Sequence, residues 1–573
     1  MNWLTLGAYP PFMLLLIGAV AVACTRGRLQ KAVMLAVPII SFGNFYFLPE
    51  NYHLVYQLYD LNLQVVNSDK LARLFGILFH LATLIGVIFA LKIKDTIQHT
   101  SALVYAACAI GAIYAGDWIT LFLFWEGMAL SSVFLIWARR NESSYRSGIR
   151  YLIMQVLSGV LLLSGALLLL KGGMPAAITD LSLQDEFNRY TTIGTWLIFL
   201  TFGIKAGFPL VHTWITDSYA QATATGSVFL TAFTSKVAIF MFIKVFSGES
   251  ILIPIGLTMA CFPIFLLIFE NDLRKVLTYS IINQIGFMLC GIGIGTEIAI
   301  NGVAATAFNH VIYKGLLMMS MGAVLYRVGH VQSSDLGGLY RSMPFTTSFC
   351  VIGAAAMSAV PFFNGFVSKA VVLGELLHEK QTVAWAILLS ASVGIFYHVA
   401  IKVPFFAFFH RPSNKQIQEA PKSMLVAMGL SAVLCLYIGI NPQWLYQMLP
   451  YTMEYSPYDA THILTQFQLL FFAGLVFIIL YRKGWHSNPK KTTALDIDWF
   501  YRKGFPWLYQ SISRNMIFAY DSITTLFSSF AAKKLEYIKK ASGPFGILSR
   551  GWGANNMIFI VILLLGLLLF YDL

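Results

Sequence analysis

Apolar runs long enough to cross a bilayer follow one another along nearly the whole chain, and this succession constrains the fold more than any other feature. About 20 apolar residues span a hydrocarbon core as a helix. Lipid offers the backbone no hydrogen-bond partner, so spanning segments are either helices or closed barrels, and the alternating pattern of barrel strands is absent. Composition agrees: 58% of the 573 residues are hydrophobic and only 11% charged, with a mean hydropathy of +0.70, where a soluble domain carries about 25% charged residues. The expectation is an all-α polytopic membrane protein of about sixteen transmembrane helices. The spans are predicted near 8–24, 30–48, 71–91, 100–116, 118–138, 149–170, 192–211, 222–246, 251–269, 275–296, 299–326, 346–373, 383–409, 423–440, 462–481 and 556–571. No basic stretch precedes the first of them, so no cleavable signal is expected.

Lysine and arginine placement sets the orientation. Of the 39 such residues, 29 fall in the odd-numbered loops and the segment after the fifteenth span, and six in the even-numbered loops. The other four, Lys205, Lys236, Lys314 and Lys369, lie inside spans. Odd loops are therefore expected in the cytoplasm and both termini outside a cell membrane. The net charge of +13 belongs to this asymmetry, so no nucleic-acid partner is expected. The chain is divided into N-terminal spans (1–99), a five-helix unit (100–246), a second five-helix unit (251–409), two further spans (421–481), a cytoplasmic-side amphipathic segment (482–555) and a C-terminal helix (556–573). Within 482–555, the stretch from Trp507 to Lys540 has helical periodicity between Gly504 and Pro506 on one side and Gly543 and Pro544 on the other. It reads as a helix lying on the membrane surface or as a strut for partner subunits.

Charges placed inside spans are the candidates for function. A lysine near the centre of a membrane helix costs roughly 2.5–3.5 kcal/mol on insertion scales, and Lys205 and Lys236 both fall in one helical hairpin, TFGIKAGFPLVHTWITDSYAQATATGSVFLTAFTSKVAIF. Lys205 precedes Pro209 by four residues, in a span expected to break there. All four intramembrane cations are lysine. Burial can neutralise an ammonium, whereas a guanidinium stays charged, so the choice favours proton handling over static pairing. Glu126, in FWEGMALSS, is the ionisable group of the fifth span and is a candidate partner or charge switch for Lys205. In the eleventh span His310 and Lys314 stand at i, i+4 on one helix face, next to Asn309; a histidine titrates near neutral pH. In the twelfth, Pro361, Asn364 and Gly365 interrupt the run just before Lys369. Broken helices at membrane depth line polar cavities, and paired interruptions point to inverted repeats. Spans 4–8 and 9–13 are accordingly expected as two inverted five-helix repeats, with breaks in the seventh and twelfth. His212, Asp217, His398, Lys402, Glu270, Asp272, Arg274 and Lys275 are weaker candidates, and for the loop charges among them a solvated face is the default reading.

No phosphate-binding glycine loop, nucleophile elbow or paired catalytic carboxylates occur, nor a ligand set for haem or an iron–sulfur cluster. The six cysteines are scattered singly, without metal-ligand spacing. No cofactor, metal or enzymatic chemistry is expected. A carrier of an organic solute would favour aromatic and polar groups around one central cavity, and a membrane-embedded transferase would need a catalytic set in a large loop. A passive scaffold would be indifferent to loss of the lysines.

The segments WEGMALSSVFLI, GIKAGFPLVHTWITDSYAQATATGSVFL, LRKVLTYSIINQIGFMLCGIG, FNHVIYKGLLMM and FFNGFVSK, in this order, resemble the antiporter-like membrane subunits shared by Mrp-type sodium/proton antiporters and respiratory complex I, and in wording and length look most like the D-type component of the Mrp assembly. The resemblance covers roughly the third to fourteenth spans. It implies a proton-transfer axis along the membrane, carried at Glu126, Lys205, Lys236, His310 with Lys314, and Lys369, and it implies other integral membrane subunits as partners. The function implied is that of a proton-translocating subunit of a multi-subunit cation/proton antiporter, or else of a redox-driven complex I-like pump; sodium carriage by this chain is left open. The extra segment before the last span is similar to the lateral helix of the distal complex I subunit, and QATATG departs from the family's glycine- or proline-rich turn before the eighth span.

Overall fold

The computed structural model describes residues 9–58, 61–184, 187–410, 417–483, 492, 495–543, 545–546 and 553–571. Two compact units divide the chain at Asp496. The first opens with α1 (Met13–Cys24) and α2 (Gly27–Tyr46), a two-stranded antiparallel ribbon of β1 (His53–Leu58) and β2 (Leu61–Asn67), and then α3 (Lys70–Ala90). An all-helical chain is expected from sequence, and the ribbon corrects that. HLVYQL and LNLQVVN alternate side chains in the manner of a surface ribbon, and the Gln64 carbonyl of β2 accepts a hydrogen bond from the Gly116 amide at 2.9 Å.

There follow α4 (Thr96–Tyr114), α5 (Trp118–Trp137), α6 (Glu142–Lys171), α7 (Arg189–Ala206), α8 (Thr213–Gln221), α9 (Gly226–Ala232) and α10 (Thr234–Val245). The next group is α11 (Leu252–Phe269), α12 (Leu273–Ile294), α13 (Glu297–Val328), α14 (Pro344–Met357), α15 (Phe366–His378) and α16 (Thr382–Ile395). α16 continues through a π-helical stretch Phe396–Ile401, the single turn α17 (Lys402–Pro404) and a second π stretch Phe405–Phe409. The unit closes with α18 (Lys422–Ile440), the short α19 (Gln443–Tyr446) and α20 (Ala460–Arg482). The second unit holds a π turn, Phe500–Gly504, running into the 38-residue α21 (Phe505–Ser542), and then α22 (Ala554–Tyr571). α21 carries no buried residue.

Local sequence explains many of these boundaries. Asp69, Asp95, Asp117, Asn141, Asn188, Asp272, Thr296 and Asp459 cap α3, α4, α5, α6, α7, α12, α13 and α20, each accepting a first-turn amide; such a cap contributes about 1 kcal/mol. Among the described residues, eleven helical segments are long and apolar enough to cross a membrane, Gly226–Val245 and Thr382–Phe409 each counting as one. The protein is a predominantly helical multi-pass membrane protein.

Three predicted spans are interrupted. α7 ends on Gly207 in the left-handed conformation, and α8 starts only at Thr213. Between α14 and α15 lie eight non-helical residues, 358–365. The eighth span, expected as one helix over 222–246, is split at Phe233 (φ −106°, ψ −70°) into α9 and α10. No glycine or proline marks this third break. Instead, the amide of Thr234 donates to the Tyr105 hydroxyl (3.0 Å), which also bonds Thr234 Oγ1 (2.5 Å). A side chain inserted into the i→i−4 ladder is a recognised cause of a sharp kink.

Candidate functional site

α5, α6 and α7 position the first group. The Lys205 side chain, buried on the last turn of α7, donates to the carbonyl of Trp125 at 2.9 Å and lies 4.1 Å above the Trp125 ring. An aromatic face attracts an ammonium through its quadrupole. Trp125 is itself held, its indole N–H donating to Ser158 Oγ (3.0 Å) while Ser158 and Thr201 exchange hydroxyl-to-carbonyl hydrogen bonds between α6 and α7. Glu126 is the next residue along α5, but it forms no ion pair with Lys205 among the described residues, and its Oε1 has no hydrogen-bond partner. Its carboxylate lies over Gly159 of α6, where a methyl group would fall on Oε1. Gln155, one turn earlier on α6, is fully buried with both amide atoms unpartnered. Neither Gln155 nor Ser158 is among the candidates from sequence, although a glutamine in the middle of an apolar run is an available signal.

The break at Phe233 supplies the ligands of Lys236. Its ammonium donates to the carbonyl of Thr231 (2.9 Å) and to Ser235 Oγ (3.2 Å). Losing the regular ladder frees carbonyls in the turn before the break, and the lysine takes one of them.

α13 is unbroken over 32 residues. Lys314, fully buried, reaches Ser280 Oγ of α12 (2.5 Å) and the sulfur of Met357 (3.3 Å). His310 is also fully buried, and neither ring nitrogen has a hydrogen-bond partner among the described residues. His80 shows what a structural histidine looks like in this fold: one nitrogen contacts Ser41 Oγ (3.0 Å) and the other the Gly76 carbonyl (2.8 Å). Asn309 donates to the Asn364 carbonyl (2.8 Å) in the break between α14 and α15, tying α13 to that interruption. The oxygens Asn309 Oδ1 and Asn364 Oδ1 have no hydrogen-bond partner among the described residues. Buried polar groups of this kind are ordinarily satisfied by internal water.

Lys369, one turn into α15, donates to Ser392 Oγ of α16 (2.5 Å) and lies 4.6 Å from the Phe287 ring centroid. The side chains that hold these ammonium groups, Ser280 and Ser392 among them, do not stand out in the sequence, because a serine in a helix carries no local signal of what faces it.

Two expectations at the helix ends are corrected. Arg274, expected on a solvated face, is buried and donates to the carbonyls of Tyr219 (3.1 Å), Ala222 (3.0 Å) and Thr223 (3.1 Å). With Arg139, which reaches the Ala220 carbonyl at 3.3 Å, it fixes the turn that contains QATATG. Glu270 is likewise buried, with Lys275 Nζ 2.9 Å away. Asp217 pairs with Arg150 at 2.6 Å. His212 meets Asp496 at 3.1 Å, and the Tyr279 hydroxyl donates to the same carboxylate at 2.7 Å. Asp496 is not legible as a partner because it lies 284 residues from His212.

Residues 115–395 match the family described as NADH:quinone oxidoreductase/Mrp antiporter, TM. Hydrogenase-4 component B of Escherichia coli (strain K12) is 26% identical over 379 residues, which is 60% of this chain and 56% of that protein. The D component of the Na(+)/H(+) antiporter of Alkalihalophilus pseudofirmus is 24% identical over 405 residues, covering 67% of this chain and 81% of that one. A chain of the membrane-bound sulfane sulfur reductase, an archaeal respiratory membrane complex, superposes with a TM-score of 0.70 at 19% identity, over 98% of this chain and 99% of that one, and so has the same fold. Over residues 115–395 the chain is thus similar to the NADH:quinone oxidoreductase/Mrp antiporter transmembrane family.

Proposed function

We propose that this chain is the proton-translocating subunit of a multi-subunit membrane cation/proton antiporter, passing protons along Glu126, Lys205, Lys236, His310, Lys314 and Lys369. One observation carries the reading. Four buried ammonium groups are held by carbonyls, hydroxyls, a thioether and aromatic faces, and none forms an ion pair with a carboxylate among the described residues. A structural buried cation is ordinarily paired, because separating a charge from water costs several kcal/mol; where it is not, as at Arg274, a permanently charged guanidinium takes three carbonyls. An ammonium with neutral ligands can instead give up its proton without leaving an unpaired carboxylate behind. Glu126, without a hydrogen-bond partner on its Oε1 among the described residues, supplies the field that biases Lys205; two unit charges 4 Å apart at an effective dielectric of 20 interact by about 4 kcal/mol, and the coupling is weaker here because the two form no ion pair.

The finer architecture belongs to the same proposal: sixteen spans, both termini outside, and two inverted repeats over 100–246 and 251–409, flanked by the segments 1–99, 421–481, 482–555 and 556–573. Two details support the repeats. Each unit contains an interrupted helix with a lysine beside the gap. Each also contains a capping aspartate in an isolated antiparallel bridge, Asp117 with Ala177 and Asp272 with Gln332.

A second reading is favoured by the fold match over 98% of the chain, which takes in the C-terminal unit: the same role in a complex driven by electron transfer. Dye-monitored proton movement in everted vesicles carrying the whole complex separates the two. Sodium-evoked flux that vanishes in Lys205→Ala supports the antiporter. Flux that ignores sodium and requires an electron donor moves the chain to a redox-driven complex. Unchanged flux in Lys205→Ala removes the axis.

A further inference from the structure

By sequence Lys402 is a weaker candidate in the span 383–409, although the charge count places it with the loops. It lies on α17, the single turn between the π stretches Phe396–Ile401 and Phe405–Phe409, and it is buried, with 5% of its surface exposed. Its ammonium donates to two main-chain carbonyls at the end of α11, Leu267 at 2.8 Å and Glu270 at 2.9 Å, and pairs with no carboxylate among the described residues.

Three features distinguish this site from a simple helix cap. The first is the count of ligands. A charged lysine offers three N–H donors, a neutral amine two and a lone pair, and two carbonyls accept from either form. Loss of the proton therefore costs no hydrogen bond. Arg274 makes the opposite arrangement, a permanently charged fork on three carbonyls. The second is the helix. π turns are rare and occur frequently at functional sites, and here two of them flank the lysine. The third is position. The helix that carries Lys402 also provides Ser392, the hydroxyl held by Lys369, ten residues or roughly 15 Å away along a helix, and His398 lies between them. On the other side, the Glu270 carboxylate faces Lys275 at 2.9 Å, and the Lys275 side chain is 25% exposed.

We propose that Lys402 is a further proton-transfer residue, standing between Lys369 and the aqueous edge marked by Glu270 and Lys275. The inference rests on the proton-translocating function above and adds the end of its path. Asp272, His398, Glu270 and Lys275 are the titratable groups of the neighbouring segments; Asp272, His398 and Lys275 are each partly exposed, and the Glu270–Lys275 pair is the one joined to Lys402 through the Glu270 carbonyl.

The test uses the assembled complex in vesicles, comparing wild type with Lys402→Gln, Lys402→Arg and Lys205→Ala. Lys402→Gln keeps a donor for the α11 carbonyls but cannot exchange a proton; Lys402→Arg keeps both donors and charge and does not release its proton. The expected result is assembled complex with at least a tenfold loss of proton flux in both. Wild-type flux in an assembled Lys402→Gln overturns the inference, as does wild-type flux in Lys402→Arg, since either leaves capping as the only role. Failure of both to assemble assigns Lys402 to the fold and also overturns it. If Lys205→Ala abolishes flux while the Lys402 variants do not, this inference fails and the proposed function stands. If wild type itself moves no protons, the proposed function fails first.

Discussion

The two gaps at membrane depth, after α7 and between α14 and α15, solve one problem from opposite sides. In the first, the lysine precedes the gap: Lys205 is two residues before the left-handed Gly207. In the second it follows: Lys369 lies four residues after Gly365. Each ammonium nonetheless finds the same kind of environment, a neutral oxygen and an aromatic face, Trp125 in one case and Ser392 with Phe287 in the other. Both gaps also contain bulky residues in the left-handed region, Leu210 (φ 75°) in the first and Phe362 (φ 72°) in the second. What differs is the carboxylate: Glu126 neighbours the Lys205 site, following Trp125 in sequence, whereas among the described residues the Lys369 ammonium has its hydroxyl and ring and no carboxylate. At both gaps the buried ammonium is thus held by neutral ligands, and a carboxylate is an addition at one of them.

Removing either lysine should have the largest effect. Lys205→Met and Lys369→Met are each expected to lower proton flux by at least about tenfold, equivalent to 1.4 kcal/mol, with the complex still assembling on native gels. Equal losses would confirm two stations of one path; a loss confined to Lys205→Met would make the Lys369 site structural. Glu126→Gln should match Lys205→Met in flux while leaving thermal stability near wild type, since the carboxylate does not hold the lysine in place.

Next come two alanine substitutions that act on opposite properties. A methyl at Gly365 would press on the Ala356 carbonyl, and backbone cannot swing aside; overpacking of this kind costs about 1–3 kcal/mol, so Gly365→Ala should lower the apparent melting temperature and the yield of complex. At Gly159 the obstructing atom is the end of the Glu126 side chain. Gly159→Ala should therefore slow flux while shifting the melting temperature less. The reverse ranking would overturn the assignment of Glu126 as a biasing group.

Smaller changes are expected from Trp125→Phe, which keeps a ring face but deletes the indole N–H bound to Ser158. The loss is about 1 kcal/mol, visible as a several-fold slower flux. Smallest is the backbone comparison. Leu210 is 67% exposed, so Leu210→Gly relieves a left-handed leucine at little packing cost and should leave the melting temperature equal or slightly higher. Phe362 stacks on Tyr458 with ring centroids 5.7 Å apart, and Phe362→Gly should lower it.

The sequence makes the helical membrane architecture legible because lipid leaves few alternatives, and it makes the six charged candidates legible because each is expensive where it sits. The gaps after α7 and α14 are readable from Gly207, Pro209, Pro361, Asn364 and Gly365. The gap at Phe233 is not, since TAFTSK contains no breaker and the cause is a hydroxyl contributed by Tyr105, 129 residues away. The same limit applies to the charges. Arg274 looks like an ordinary loop cation, and Lys402 like no more than a weaker candidate, until the carbonyls they bind, at the ends of other segments, are placed beside them. Pairing Glu126 with Lys205 is a reasonable expectation from charge alone. The fold instead points the carboxylate over Gly159 and gives the ammonium a carbonyl and a ring.

The joint at Phe233 has a mechanical consequence. Because its ladder is completed by a phenol, α10 can pivot against α9 by giving up the two hydrogen bonds between Thr234 and Tyr105, about 1 kcal/mol each, instead of unwinding a turn. Lys236 is anchored in α10, while one of its ligands, the Thr231 carbonyl, belongs to α9. A bend at this joint therefore stretches the grip on the ammonium, so that displacing the helix and loosening a charge are one motion.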